Sequence, residues 1–296
     1  MTARAVGPSS RGAVTSTLPD LPAGWRLVSS GGPAGFVTHA RLARPDGTEV
    51  EWTSRRHRKG LGLRVVGDHV EGGRASASSW WIGSLFGIGS ACFALGSVPW
   101  YVDRVDPALV AMTFFLGSVF FTAAAYLQLH ETLRAPGGVL AQSVRPGRLA
   151  SLVGWKPRRL DFWAALVQLV GTVFFNVSTF AATRADLTTV QDRHLVWAPD
   201  VAGSICFLVA SWFAWSEVNR GILPRSDRSS GWRIAALNLL GSVAFGVAAV
   251  AARYLRSTGE LANLALVNLG TFLGAVCFLV GAALLPVESA KDRSPA

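Results

Sequence analysis

The sequence predicts an all-α polytopic membrane bundle: six transmembrane helices arranged as three two-helix repeats, preceded by a small N-terminal β-containing segment. Three observations carry this reading. The 296-residue chain is 50% hydrophobic and only 16% charged, whereas an ordinary soluble domain carries roughly 25% charged residues. It holds six apolar runs, each long enough to cross a bilayer. Those runs share one motif in register, so they belong to a repeated unit. Together with a mean hydropathy of +0.36, this excludes an ordinary water-soluble enzyme.

A membrane helix needs about 20 mostly apolar residues. Stretches 80–102, 108–130, 162–183, 198–217, 232–253 and 263–286 qualify. With the N-terminus cytoplasmic, 23 of the 28 Lys and Arg residues fall in 1–79, 131–161, 217–233 and the tail from Glu288. The other five, Arg104, Arg184, Arg193, Arg253 and Arg256, fall in the three opposite loops. Basic residues accumulate on the cytoplasmic side, so both termini are expected inside. The preference survives at 12 to five when residues 1–79 are set aside. Trp80, Trp81, Trp163, Trp215 and Trp232 mark one end of the spans, and Trp100 and Trp197 the other. An amphipathic indole suits both headgroup levels. The net charge of +10 thus follows topology, and no nucleic-acid partner is expected.

Every span contains a Gly with a Phe four residues later, and five of the six carry a hydroxyl directly after the Gly. The pairs are Gly89 with Phe93, Gly117 with Phe121, Gly171 with Phe175, Gly203 with Phe207, Gly241 with Phe245 and Gly274 with Phe278. The even spans add a Glu fourteen residues after the Gly and a base three further on: Glu131 with Arg134, Glu217 with Arg220, Glu288 with Lys291. The odd spans place an aromatic nine residues before the Gly: Trp80, Phe162 and Trp232. The unit is therefore a two-helix hairpin. Repeat 1 is 80–134, repeat 2 is 162–220 and repeat 3 is 232–291, joined by a basic linker 135–161 and a shorter one, 221–231, with a tail 292–296. Lipid is as apolar as Leu, so spans associate by close packing at small residues. Gly at i and Phe at i+4 share a helix face. Each Gly is expected to form a notch for a neighbouring ring or backbone.

The three Glu-x-x-Arg/Lys sites are the leading polar constellation. Two readings stand: local surface ion pairs between residues one turn apart, or an interhelical network closing one end of the bundle. Cys92, Cys206 and Cys277 each lie three residues after a motif Gly. No His or carboxylate recurs beside them, and zinc takes about four close ligands, so they read as small apolar residues. No metal and no cofactor are expected. Asp200 follows Pro199 and reads as a helix start, since Pro suits the first helical position, with a transport carboxylate as the alternative.

Residues 1–20 read as disordered. Residues 21–79 read as a small β-rich segment, with alternating runs flanking the turn Pro45-Asp46-Gly47. The run Arg55, Arg56, His57, Arg58, Lys59 keeps three readings open: a solvated strand end, a contact with anionic lipid headgroups through Arg55, Arg56, Arg58 and Lys59, or a site for a macromolecular partner. The linker mixes Leu149, Leu152, Val153 and Trp155 with Arg148, Lys156, Arg158 and Arg159, as a short interfacial stretch would.

The hairpin WWIGSLFGIGSACFALGS…FFLGSVFF within 80–134, with weaker copies in 162–220 and 232–291, resembles the YrhK-like membrane domain. The resemblance implies a bacterial inner-membrane protein. That family has one hairpin and no assigned activity, so three copies depart from its pattern and no catalytic residue carries over. The sequence holds no HExxH, no Ser/His/Asp set and no phosphate-binding loop, and the reading is not an enzyme. The expected role is a structural or interaction protein displaying a basic cytoplasmic segment. The alternative is a small-solute or ion transporter of three parallel repeats.

Overall fold

The computed structural model describes residues 21–67, 74–140, 146–221, 223–224, 229–253 and 263–293. The expectation for residues 1–20 lies outside them. The N-terminal unit is an antiparallel meander of β1 (Arg26–Gly31), β2 (His39–Ala43), β3 (Glu49–Thr53) and β4 (Arg64–Val65), in that order across the sheet. Alternation sets its inner face: Ala40 and Leu42 on β2 and Val50 and Trp52 on β3 form the core, joined by Val139 from beyond the second span. At the β2–β3 turn, Asp46 Oδ1 accepts from Thr48 N at 2.9 Å, and Gly47 takes a left-handed φ of 86°. The basic run is neither strand nor tail. It forms a one-turn helix, α1 (Ser54–Arg58), started by Thr53, whose side chain accepts from Arg56 N.

Helices α2 (Ala77–Gly96), α4 (Pro107–Arg134), α6 (Leu160–Ala181), α8 (Ala198–Asn219), α9 (Ser230–Ala251) and α10 (Leu264–Asp292) are the membrane spans. Two short helices, α3 (Pro99–Val102) and α5 (Arg148–Val153), lie between them, and α7 (Thr189–Asp192) leads into α8. On α5, Leu149 and Val153 are largely exposed. Each span packs on the next in chain order, and α10 closes back onto α2. The result is a ring of six.

The fourth span does not begin at Pro199. It runs continuously over Thr189–Asn219, through a π turn at Arg193–Trp197 in which Ala198 N–H donates to Arg193 O. Pro cannot supply the ordinary intrahelical donor, and the wider turn carries the chain past it. Asp200 is therefore inside a span, correcting the reading of a helix start.

Candidate functional site: a six-phenylalanine plug and a basic knob in an acidic mouth

Close approach at the motif glycines builds the hairpins. A Cβ on Gly89 would lie 2.9 Å from Gly117 O and 2.8 Å from the Phe121 ring, and one on Gly117 would lie 3.1 Å from Gly89 O and 2.9 Å from Phe93. Gly171 with Gly203 and Gly241 with Gly274 face each other in the same way. Each notch thus seats the partner span's backbone and its Phe. Cys92 and Cys206 sit against Gly117 and Gly171 through their Cβ atoms.

The rings meet on the bundle axis. Phe93, Phe175 and Phe245 form one triangle with centroids 6.3, 5.9 and 6.1 Å apart. Phe121, Phe207 and Phe278 form a second, at 6.0, 6.0 and 5.7 Å. Rungs of 5.6, 5.1 and 5.4 Å join the two within each hairpin. The nine contacts are the edges of a triangular prism, so the three hairpins surround an approximate threefold axis. Mostly edge-on and tilted rings at this spacing suit the aromatic quadrupole.

Seams between hairpins use other chemistry. Ser118 Oγ meets Thr179 Oγ1 at 2.9 Å and Asn176 Nδ2 donates to Thr122 Oγ1 at 2.8 Å, joining α4 to α6. Ser211 and Ser242 meet at 2.8 Å, and Ser242 Oγ also donates to Phe207 O, joining α8 to α9. At the third seam, α10 on α2, Ser289 Oγ accepts from Ser76 N at 3.0 Å at the end of the spans, and further in Ala275 stands where the first seam has Ser118. Pro286 instead deprives the Ala282 carbonyl of its intrahelical donor, and Gly83 lets α2 close to within 2.9 Å of that carbonyl, measured from where a Cβ would stand.

The even-span glutamates gather at the end of the bundle that bears the β unit. None pairs with the base three residues on. The local pairing expected of Glu131–Arg134, Glu217–Arg220 and Glu288–Lys291 is not made. Glu217 and Glu288 turn inward while their bases turn away, with Lys291 Nζ donating to Ser230 Oγ at 3.4 Å. Arg220, in a left-handed conformation at φ 56°, reaches Glu51 of the sheet at 2.6 Å. Glu131 accepts from Ser78 Oγ at 3.3 Å.

The cations that meet the inward acids come from α1 and from Lys59, which caps it. Arg55 holds Glu288 at 2.6 Å, Lys59 holds Glu288 at 3.0 Å and Asp292 at 2.6 Å. Arg58 lies 3.3 Å from Asp161 and 3.8 Å from Glu217. Arg56 Nη1 donates to Asp292 O at 2.7 Å, and Ser54 Oγ donates to Glu217. Asp161 and Glu217 side chains are only 1% and 4% exposed. Buried carboxylates are costly without cations, which is why the basic run is drawn in. Of the residues read as an exposed strand end, or as a contact for anionic headgroups, Arg55, Arg58 and Lys59 are thus ion-paired within the chain and Arg56 is hydrogen-bonded to a backbone carbonyl. This is also where the displayed-segment expectation departs from the geometry.

Burial works against the Arg58 charge, but Glu217 and Asp161 outweigh it and raise its pKa above the ordinary arginine value. Burial, helped by the Arg159 charge, lowers the His57 pKa to about 4. Its Nε2 lies 2.9 Å from Pro136 O, and as a neutral ring it donates there. Burial likewise brings Lys156 down to about 8, where its Nζ donates to Thr132 O and Ala135 O and caps α4. Arg159 grips Asp161 at 2.6 Å.

Between this knob and the phenylalanine prism lies a chamber of about 110 Å³. Gln128, Gln168, Asn238 and Glu131 give it polar walls, and Phe86 and Phe278 line it as well. Sequence reasoning missed Asp161, Glu51, Asp292 and Ser54 as partners. Asp161 had a signal: ten residues before its Gly, it is the charged member of the set Ser79, Asp161 and Gly231. Among the described residues, no group of three His, Cys, Asp or Glu is placed to hold a metal.

Fold and site define a multi-pass helical membrane protein with a small β unit docked on one end. Comparison with protein-family models, with characterised proteins and with solved structures finds no match.

Proposed function

We propose that this is a structural or interaction protein of the bacterial cell membrane, with both termini cytoplasmic, built from three tandem YrhK-like hairpins and without catalytic activity. The observation that carries it is the prism of six phenylalanines, whose rings stand in mutual contact on the bundle axis. The bundle then serves as a platform that holds the β unit against the inner membrane surface through ion pairs to the second and third hairpins. The charge distribution of the loops supports the orientation.

Reconstitution tests the reading. Proteoliposomes should leak potassium and chloride no faster than protein-free vesicles, and co-purification from native membranes should recover a stoichiometric protein partner. Flux above the empty-vesicle rate overturns it. A second reading, solute transport, is favoured by the polar chamber of Gln128, Gln168 and Asn238, and it requires that excess flux.

A further inference from the structure

The contact between α1 and the bundle is of an unusual kind. The buried residues of α1 are Ser54 and His57, both polar, and the other contacts named above are ion pairs and hydrogen bonds. Apolar burial in the β unit goes mainly into the sheet's own core, which takes in Val139 from the segment after α4 but no residue of a span. A polar interface between units is the ordinary setting for relative motion. The same charges close a space. Arg55, Arg58 and Lys59 line the chamber together with Ile82, Ala214 and Ala235 from the spans. Three knob cations face four lining carboxylates, Glu131, Asp161, Glu217 and Glu288.

We propose that α1 is a removable plug: its three cations, seated among the mouth carboxylates, shut the chamber, and their release opens it to the aqueous phase. The knob holds the place that any cation approaching the mouth would take. Its grip is set by charge, so it weakens with ionic strength. The screening length falls from about 10 Å at 0.1 M salt to about 3 Å at 1 M. This holds whether the bundle is a platform or a transporter, because it concerns access to the chamber and not passage through the membrane.

Thiol accessibility in the full chain, held in nanodiscs, tests it. Cys92, Cys206 and Cys277 are first replaced by Ala. Ala214→Cys then reports on the chamber and Ser54→Cys on the knob, each reacted with neutral hydroxyethyl methanethiosulfonate. At 0.1 M salt both thiols should react slowly. Both should react on the order of tenfold faster or more when Arg55→Gln, Arg58→Gln and Lys59→Gln are combined, as expected for losing partly buried ion pairs. Both should also speed up at 1 M salt with the natural knob, an arm that needs no charge substitution and reverses on dilution. Fast reaction at Ala214→Cys with the knob seated overturns the plug. So does a freed Ser54→Cys beside a still-protected Ala214→Cys. If neither thiol responds to neutralisation or salt, charge does not hold the knob and the proposal fails.

Discussion

At the scale of single residues, the glycines separate into two kinds by what surrounds them. A side chain at Gly117 or Gly241 would collide with backbone oxygen and a Phe ring of the partner span, whereas Gly246, on the same helix as Gly241, has open space around it. Gly117→Leu and Gly241→Leu should each lower the melting temperature in detergent, by a loss of roughly 1–3 kcal/mol or more from overpacking. Gly246→Leu should melt like the parent. Equal melting of all three variants would remove the notch from the account. His57 supplies a pH test. Its docked pKa of about 4 lies below the ordinary 6.5, so between those values the undocked state binds the extra proton. The stability it contributes is complete above pH 6.5 and drains away as pH falls toward 4. Thermal melts from pH 7.5 to 5 should fall more steeply for the parent than for His57→Gln, and parallel slopes would show that His57 does not report on docking.

At the scale of elements, two prolines leave opposite marks. Pro199 is preceded by a π turn, and Pro286 by a carbonyl that a neighbouring helix approaches. The α2–α10 seam therefore depends on Gly83, and Gly83→Leu should lower the folded fraction in size-exclusion chromatography. Ser118→Ala at the α4–α6 seam should cost only about 0.6 kcal/mol, the usual worth of an interhelical hydrogen bond in a membrane protein. Similar losses from both would mean that the three seams are held alike. The spans and their glycine faces were legible in the sequence because a bilayer imposes local rules: length, apolarity and small residues at fixed spacing. The start of the fourth span was not, since Pro199 reads locally as a first-turn residue and its tolerance within a helix depends on the turn before it.

For the whole molecule, the prism makes a symmetry prediction. Phe93, Phe175 and Phe245 hold equivalent corners and are almost equally buried, at 6%, 5% and 6% exposure. Phe93→Ala, Phe175→Ala and Phe245→Ala should each destabilise by about 3–5 kcal/mol and agree within about 1 kcal/mol of one another in reversible unfolding. A spread of several kcal/mol would mean that the rings do not share one axis. The docked knob, by contrast, was illegible beforehand. Ser54 meets Glu217 across 163 residues of chain and Arg55 meets Glu288 across 233. A five-residue basic run looks the same whether it faces lipid, solvent or a distant carboxylate. Burial of those carboxylates decides the matter, and only the closed ring creates it.

A socket of threefold design receives one guest. Glu217 and Glu288 are engaged by α1, while Glu131, at the equivalent seat, accepts from Ser78. A lone visitor meets each third of the rim from a different side, so matching positions there need not stay matched. Ser79, Asp161 and Gly231 differ for that reason: Asp161 grips Arg58, and Gly231 leaves the room into which Glu288 and Arg55 press. Deeper in, where nothing foreign intrudes, each of the three hairpins has the same glycine and the same ring on both of its helices.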